Sequence, residues 1–183
     1  MSKVITMKLT TSDIERAIKE VDKYKRDFVK KVDVFRERVA QEIKDLAQSG
    51  FNSSMVEDVL SSSPNGSPHQ AKVTVSFESN GNVTVVATGQ NEADAIWVEF
   101  GAGVYHNGSV GSSPHPQGAK LGYTIGGYGV GRGKQGVWGY YEVPGNKNTL
   151  VLTHGTPATM PMYTAMKTIS AKVTTIAKEV FGS

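Results

Sequence analysis

The sequence predicts an α+β fold: an antiparallel sheet packed by a C-terminal helix, with a long N-terminal helix and a long Gly-rich loop. Three observations predict it. Apolar residues recur at helical spacing at both ends of the chain, alternating apolar and polar residues occupy the stretches between, and most of the 20 glycines gather in one segment. A length of 183 residues suits a single domain spanning 1–183.

The first element is a helix over 12–50. Ser12 and Glu15 have the spacing of a capping box, in which a hydroxyl and a carboxylate satisfy the free amides of a helix start. Ile14, Ile18, Val21, Phe28, Val32, Phe35, Val39, Ile43 and Leu46 follow at steps of three, four or seven, and Gly50 offers a C-terminal cap. About 36 residues of it make a rod of roughly 54 Å at 1.5 Å per residue, longer than a compact domain of this size is wide, so part of it should project or be shared. Its polar face mixes Lys23, Lys25, Arg26, Lys30 and Lys31 with Asp22, Asp27 and Asp33, the pattern of a solvated face with local ion pairs rather than a nucleic-acid stripe.

Met55–Leu60 reads as a short helical turn, followed by a turn-forming linker rich in Ser, Pro, Asn and Gly. The sheet is expected over 71–100 and 137–152. Val73, Val75 and Phe77 alternate on one side of Asn80-Gly81, and Val83, Val85 and Ala87 on the other, which predicts a hairpin closed by a type I′ turn. Ala93–Gly103, with Ile96, Trp97, Val98 and Phe100 flanking the acid Glu99, is read as a sheet segment crossing the core. Two more strands, Val137–Val143 and Thr149–Leu152, should complete the sheet through Pro144-Gly145-Asn146. The closing helix, 161–181, begins with proline at its first position and repeats Met162, Met166, Ile169, Val173, Ile176 and Val180.

The segment 101–136 is the Gly-rich loop. It cannot fill a core, and loops of such length are usually functional or disordered. No acidic residue stands between Glu99 and Glu142, while Lys120, Arg132 and Lys134 do. With Tyr123, Tyr128, Trp138 and Tyr140, these basic residues form the expected interface set, since aromatics are enriched at protein contacts.

Composition excludes several classes. There is no cysteine, hence no disulfide, thiol nucleophile or thiolate metal site. No apolar run approaches the ~18 residues that would suggest a membrane span, and the start lacks a signal-peptide core, so the expectation is a soluble chain made and kept in the cytoplasm with no membrane partner. A formal charge of +3 is a weak signal for nucleic acid. His69, His106, His115 and His154 fall in expected loops without paired metal-ligand spacing, and are read as exposed polar residues. Gly126–Gly136 lacks the spacing of a phosphate loop, and no GxSxG elbow occurs. Glu99 is read as a buried carboxylate paired with a backbone amide or a basic group, and Trp97 and Phe100 as core. No enzyme, metal or cofactor is expected.

The long N-terminal helix, the segment ADAIWVEFGAG and the closing THGTPATMPMYTAM before a terminal helix resemble, in that order, the tail-component or tail-completion (head–tail joining) family of long-tailed bacteriophages. The likeness covers Ser12–Phe181 and is sharpest over Ile96–Gly103 and Thr153–Ala165. Two departures stand out: Ser63–Ser67 matches the family's turn before the first strand only loosely, and Val104–Gly136 is longer than the family's pattern. The resemblance implies a non-catalytic virion protein of the tail and neck. It implies self-association in a hexameric ring, contact with other neck and tail-tube proteins, and passing contact with DNA in the channel. The rival expectation is a nucleic-acid-binding protein using the basic residues of the helix and the Gly-rich loop.

Overall fold

In the computed structural model, residues 10–56, 67–68, 71–89, 94–101, 113–121, 138–141, 145–153 and 155–182 are described. Helix α1 (Thr11–Asn52) opens the chain. Its N-cap is Thr10, two residues before the expected Ser12: the Thr10 side chain accepts from the Asp13 amide and donates to the Asp13 carboxylate, so the capping pair is Thr10 and Asp13. Gly50 does not end the helix. It lies inside the last turn, where a Cβ would come within 2.7 Å of the Pro161 Cβ, and the helix stops at Ser53, whose amide and hydroxyl return to the Ser49 carbonyl. The 42 residues make a rod of about 63 Å at 1.5 Å per residue.

Met55–Val56 (β1) pairs with Ser67–Pro68 (β2), so the expected helical turn over 55–60 is a short strand at its start, while 57–60 lie outside the described residues. The hairpin is present. Strand β3 (Ala71–Phe77) pairs antiparallel with β4 (Val83–Gly89), with Val73 opposite Ala87 and Val75 opposite Val85. Its turn differs from the expected type: the Glu78 amide meets the Asn82 carbonyl, the Gly81 amide meets the Glu78 carbonyl, and of the turn residues only Gly81 has positive φ, at 87°. This is a three-residue loop with glycine in the left-handed position, a form the same Asn-Gly pair serves equally well.

Residues Asp94–Phe100 form a helix, α2, where a strand was expected. The run buries Ala95, Val98 and Glu99, the i, i+3, i+4 positions of one helix face. A seven-residue run does not reveal its own period, which is why its apolar residues read as a sheet segment. A single turn, α3 (Gly118–Leu121), falls inside the expected Gly-rich loop; 102–112 and 122–136 lie outside the described residues. Strands β5 (Trp138–Tyr141) and β6 (Leu150–Thr153) pair antiparallel, with a 3-10 turn, Lys147–Thr149, before β6. Among the described residues there are three separate two-stranded ladders and no single sheet of four to six strands.

Helix α4 (Pro161–Phe181) runs antiparallel to α1, from Pro161 against Gly50 to Phe181, whose ring lies 5.7 Å from Phe28 and 5.9 Å from Phe35. An ion pair, Arg38–Glu179 at 2.6 Å, bridges the two helices on the outside. The core is the seam where α1, α2, α4 and β3 meet: Ile43, Ala47 and Phe51 pack with Val73, Val98, Ile169, Ile176 and Val180. At about 32 Å, α4 covers only the C-terminal part of α1. The hairpin lies on the same part: Gln48 donates to the Ala71 carbonyl and accepts from the Val73 amide, each at 2.8 Å, so its side-chain amide occupies the edge of β3 as a neighbouring strand would. Arg36 donates to the Gly81 carbonyl at the hairpin tip.

Candidate functional site

Two features stand out: a buried polar cluster at the start of α4, and the projecting half of α1. The cluster follows from a backbone need. The first amides of any helix lack intrahelical partners, and the N-cap of α4, Met160, supplies no side-chain bond. Met160 adopts the left-handed conformation (φ 54°), uncommon for a residue with a side chain and costing on the order of 1 kcal/mol. The turn it makes brings the Thr159 and Met160 amides onto the Val98 carbonyl. Pro161 has no amide, and the next two, of Met162 and Tyr163, donate to the two oxygens of Glu99, each at 2.8 Å. The Glu99 carboxylate therefore closes the first turn from a different element, and its charge favours the positive end of the helix.

His115 meets the same carboxylate through Nε2, 3.2 Å from Oε1. Its Nδ1 accepts from the Gln117 amide, which places the ring proton on Nε2 as the donor to Glu99. The ring sits against Phe100 (4.4 Å between centroids) and edge-on to Tyr163 (5.2 Å). Ser113 donates to the Phe100 carbonyl and accepts from the His115 amide, and Gly118 lies close enough that a Cβ would meet the Ser113 Cβ at 3.0 Å. Ser113, Glu99 and His115 are all buried.

A serine, a histidine and a glutamate together suggest a hydrolytic triad, but the wiring differs. The Ser113 hydroxyl points to a carbonyl, both ring nitrogens of His115 are engaged, and Glu99 serves two amides besides the ring. A triad needs the ring nitrogen remote from the acid to face the nucleophile. The arrangement instead fastens Ser113–Leu121 to the start of α4. Glu99 is thus the amide-paired buried carboxylate that sequence suggested, set on a helix, whereas His115 corrects the reading of that histidine as exposed. His69, His106 and His154 lie outside the described residues. Phe100 is buried and Trp97 half-buried. Among the described residues no group of acidic or histidine side chains could hold a metal ion, and no helix is long and apolar enough to cross a membrane.

The second feature is the N-terminal half of α1. Ile14, Ile18, Val21, Tyr24 and Phe28 continue the stripe that is buried farther along, yet they are 39–60% exposed. Placed at 100° per residue, the surrounding charges separate into zones. Asp13, Glu20 and Asp27, at seven-residue spacing, edge one side of the stripe, and Glu15 and Asp22 edge the other. Arg16, Lys19, Lys23, Arg26 and Lys30 share the opposite face, and Lys25 is the cation within the stripe. Apart from Lys25 within the stripe and Lys31 on the Asp13–Asp27 edge, the sign mixing seen along the sequence resolves around the helix into apolar, acidic and basic faces.

Of the expected interface residues, Lys120 is exposed on α3, and Trp138 and Tyr140 lie in β5 opposite Thr153 and Val151. Tyr123, Tyr128, Arg132 and Lys134 lie outside the described residues. Among the described side chains of this set, Lys120 is not part of the Glu99 cluster. Sequence reasoning missed His115; the available signal was Ser113-Pro114-His115-Pro116, where two prolines stiffen a stretch otherwise rich in glycine. No protein-family model, curated protein or solved structure matches the chain.

Proposed function

We propose that this protein is a non-enzymatic structural component of a tailed-phage neck, completing the tail and joining it to the head as one subunit of a ring. The observation that carries the reading is the α1 arm, a regular apolar stripe about 25 Å long, over residues 11–27, that projects past the end of α4. Contiguous exposed apolar surface marks a site of association. The resemblance of ADAIWVEFGAG and THGTPATMPMYTAM to tail-completion proteins supplies the setting, and a hexameric ring with neck and tail-tube neighbours is what that setting implies. The occupied hydrogen-bonding groups around Glu99 support a structural role for the most chemically suggestive cluster. Tyr123, Tyr128, Lys120, Arg132, Lys134, Trp138 and Tyr140 are proposed to contribute to the interface. The test is imaging of virion necks with and without the gene. Ring density at the head-proximal end of the tail, and unjoined heads and tails in its absence, is the expected result; normal joining without the protein overturns the proposal.

A second reading is favoured by the basic face of α1. Arg16, Lys19, Lys23, Arg26 and Lys30 lie on one exposed face at steps of three and four, over about 21 Å, which suits contact with nucleic-acid phosphates. Duplex DNA binding that weakens steeply with salt, and loses part of that salt dependence in Lys19→Ala/Lys23→Ala, would support this reading; no binding at low salt would remove it.

A further inference from the structure

We infer that the apolar stripe of the α1 arm seats in the groove between α4 and the β3–β4 hairpin of a second copy of this chain. The inference deepens the ring reading above and rests on it for the setting in which copies meet.

Both halves of the contact lie in described residues. The hairpin and α4 rest on α1 and leave between them a groove of about 390 Å³, floored by Phe35 and Val39 and walled by Val83 and Val85 on one side and by Met162 and Met166 on the other. Met166 and Val173 are exposed, although they belong to the repeat that buries Ile169 and Ile176. The row from Met162 to Val173 extends the α4 wall to about 17 Å at 1.5 Å per residue. Methionine side chains adapt to the surface they meet. On the arm, Ile14, Ile18 and Val21, at steps of four and three, form the kind of ridge that such a groove accepts.

Charge selects the occupant. Acidic residues edge the stripe on both sides, so two arms laid together in either direction would bring carboxylates toward carboxylates, an unfavourable arrangement. The groove offers the opposite sign. Helix α4 carries three lysines and a single acid, Glu179, which is paired with Arg38, and β4 carries no charged residue. Placed at 100° per residue, Lys167 and Lys178 lie on the solvent side of the row from Met162 to Val173, and Arg36 stands where the groove meets the hairpin tip. Because both edges of the stripe are acidic, an arm in the groove presents carboxylates to these lysines whichever way it runs.

Arm and groove do not meet within one copy. Ile43 lines the groove together with Met166, and Ile18 is 25 residues from Ile43 on the same continuous helix, about 38 Å away at 1.5 Å per residue. Neither proline nor glycine stands between them to turn the helix back. The two surfaces differ, so their pairing is head-to-tail and can propagate from copy to copy until a ring closes.

The absence of cysteine permits a direct test, and neither Ile18 nor Met166 is buried. Ile18→Cys and Met166→Cys are introduced into the full chain singly and together, and the purified proteins are treated with a short bismaleimide linker at low and high salt. The double variant is expected to give a ladder of dimers and larger covalent species, and a mixture of the single variants a dimer that neither forms alone. Both yields should fall at high salt and on adding Lys167→Glu/Lys178→Glu. Dimers of Ile18→Cys alone would show arm-to-arm pairing and overturn the assignment, as would the absence of any covalent species or a yield untouched by the charge reversal. Particles carrying the double variant separate the two readings. Ring density at the neck without a ladder discards this contact and leaves the ring, whereas a ladder in purified protein with no neck density upholds the contact and discards the neck.

Discussion

At the scale of single residues, Glu99 does the most. Its carboxylate accepts from two helix amides and from His115 in a buried position, and charge-assisted bonds of this kind contribute about 1.5–3 kcal/mol each. Glu99→Gln keeps the shape but turns one acceptor into a donor facing a donor. It should lower unfolding stability by about 2 kcal/mol or more, read as a lower denaturant midpoint at unchanged slope. An unchanged midpoint would show that the cluster does not hold α4. Gly50 acts through absence: Gly50→Ala places a methyl 2.7 Å from the Pro161 Cβ, and the helices must separate, at a cost of about 1–3 kcal/mol measurable in the same titration. Sequence foresaw the burial and amide pairing of Glu99 because a lone acid in an apolar run needs partners. It did not foresee His115, sixteen residues on, because the pairing is made only by tertiary structure.

At the scale of elements, α1 has one periodicity but two environments. Phe51 is fully buried, whereas Val21 is 53% exposed although it belongs to the same repeating pattern. Phe51→Ala should therefore cost about 3–5 kcal/mol, and Val21→Lys should fall within about 0.5 kcal/mol of the parent in thermal unfolding of the isolated protein. Equal losses at both sites would mean that the arm is covered within one chain. Both long helices and the hairpin strands were legible in the sequence because each carries several repeats of its period. The capping residue was misplaced because Thr10, Thr11 and Ser12 all offer a hydroxyl, and only the contact with Asp13 selects Thr10. Helix α2 was hidden by its brevity, and the turn type by the fact that Asn-Gly serves several hairpin loops.

At the scale of the whole molecule, the fold is a small body with a shaft through it. A compact chain of 183 residues has a radius of gyration of about 16 Å, a sphere roughly 41 Å across, and a rod near 63 Å extends beyond it. Small-angle scattering from monomers should give a larger radius and a maximum dimension of at least about 63 Å; a compact profile would mean that α1 folds back in solution. Among the described residues the sheet expected from sequence is three separate ladders, because strand identity is local while strand neighbourhood is not. Only topology decides which edges meet, and one edge of β3 is taken by Gln48 rather than by another strand.

Between Thr11 and Ser49 the shaft contains neither proline nor glycine, the residues at which helices most often bend. It therefore has no joint where the arm leaves the body. A load applied near Ile14 is carried as a tilt of the same wall on which the hairpin and α4 rest, and arrives at the Gly50–Pro161 crossing beside Glu99. Mechanically, the protein is a lever whose short end is its own core.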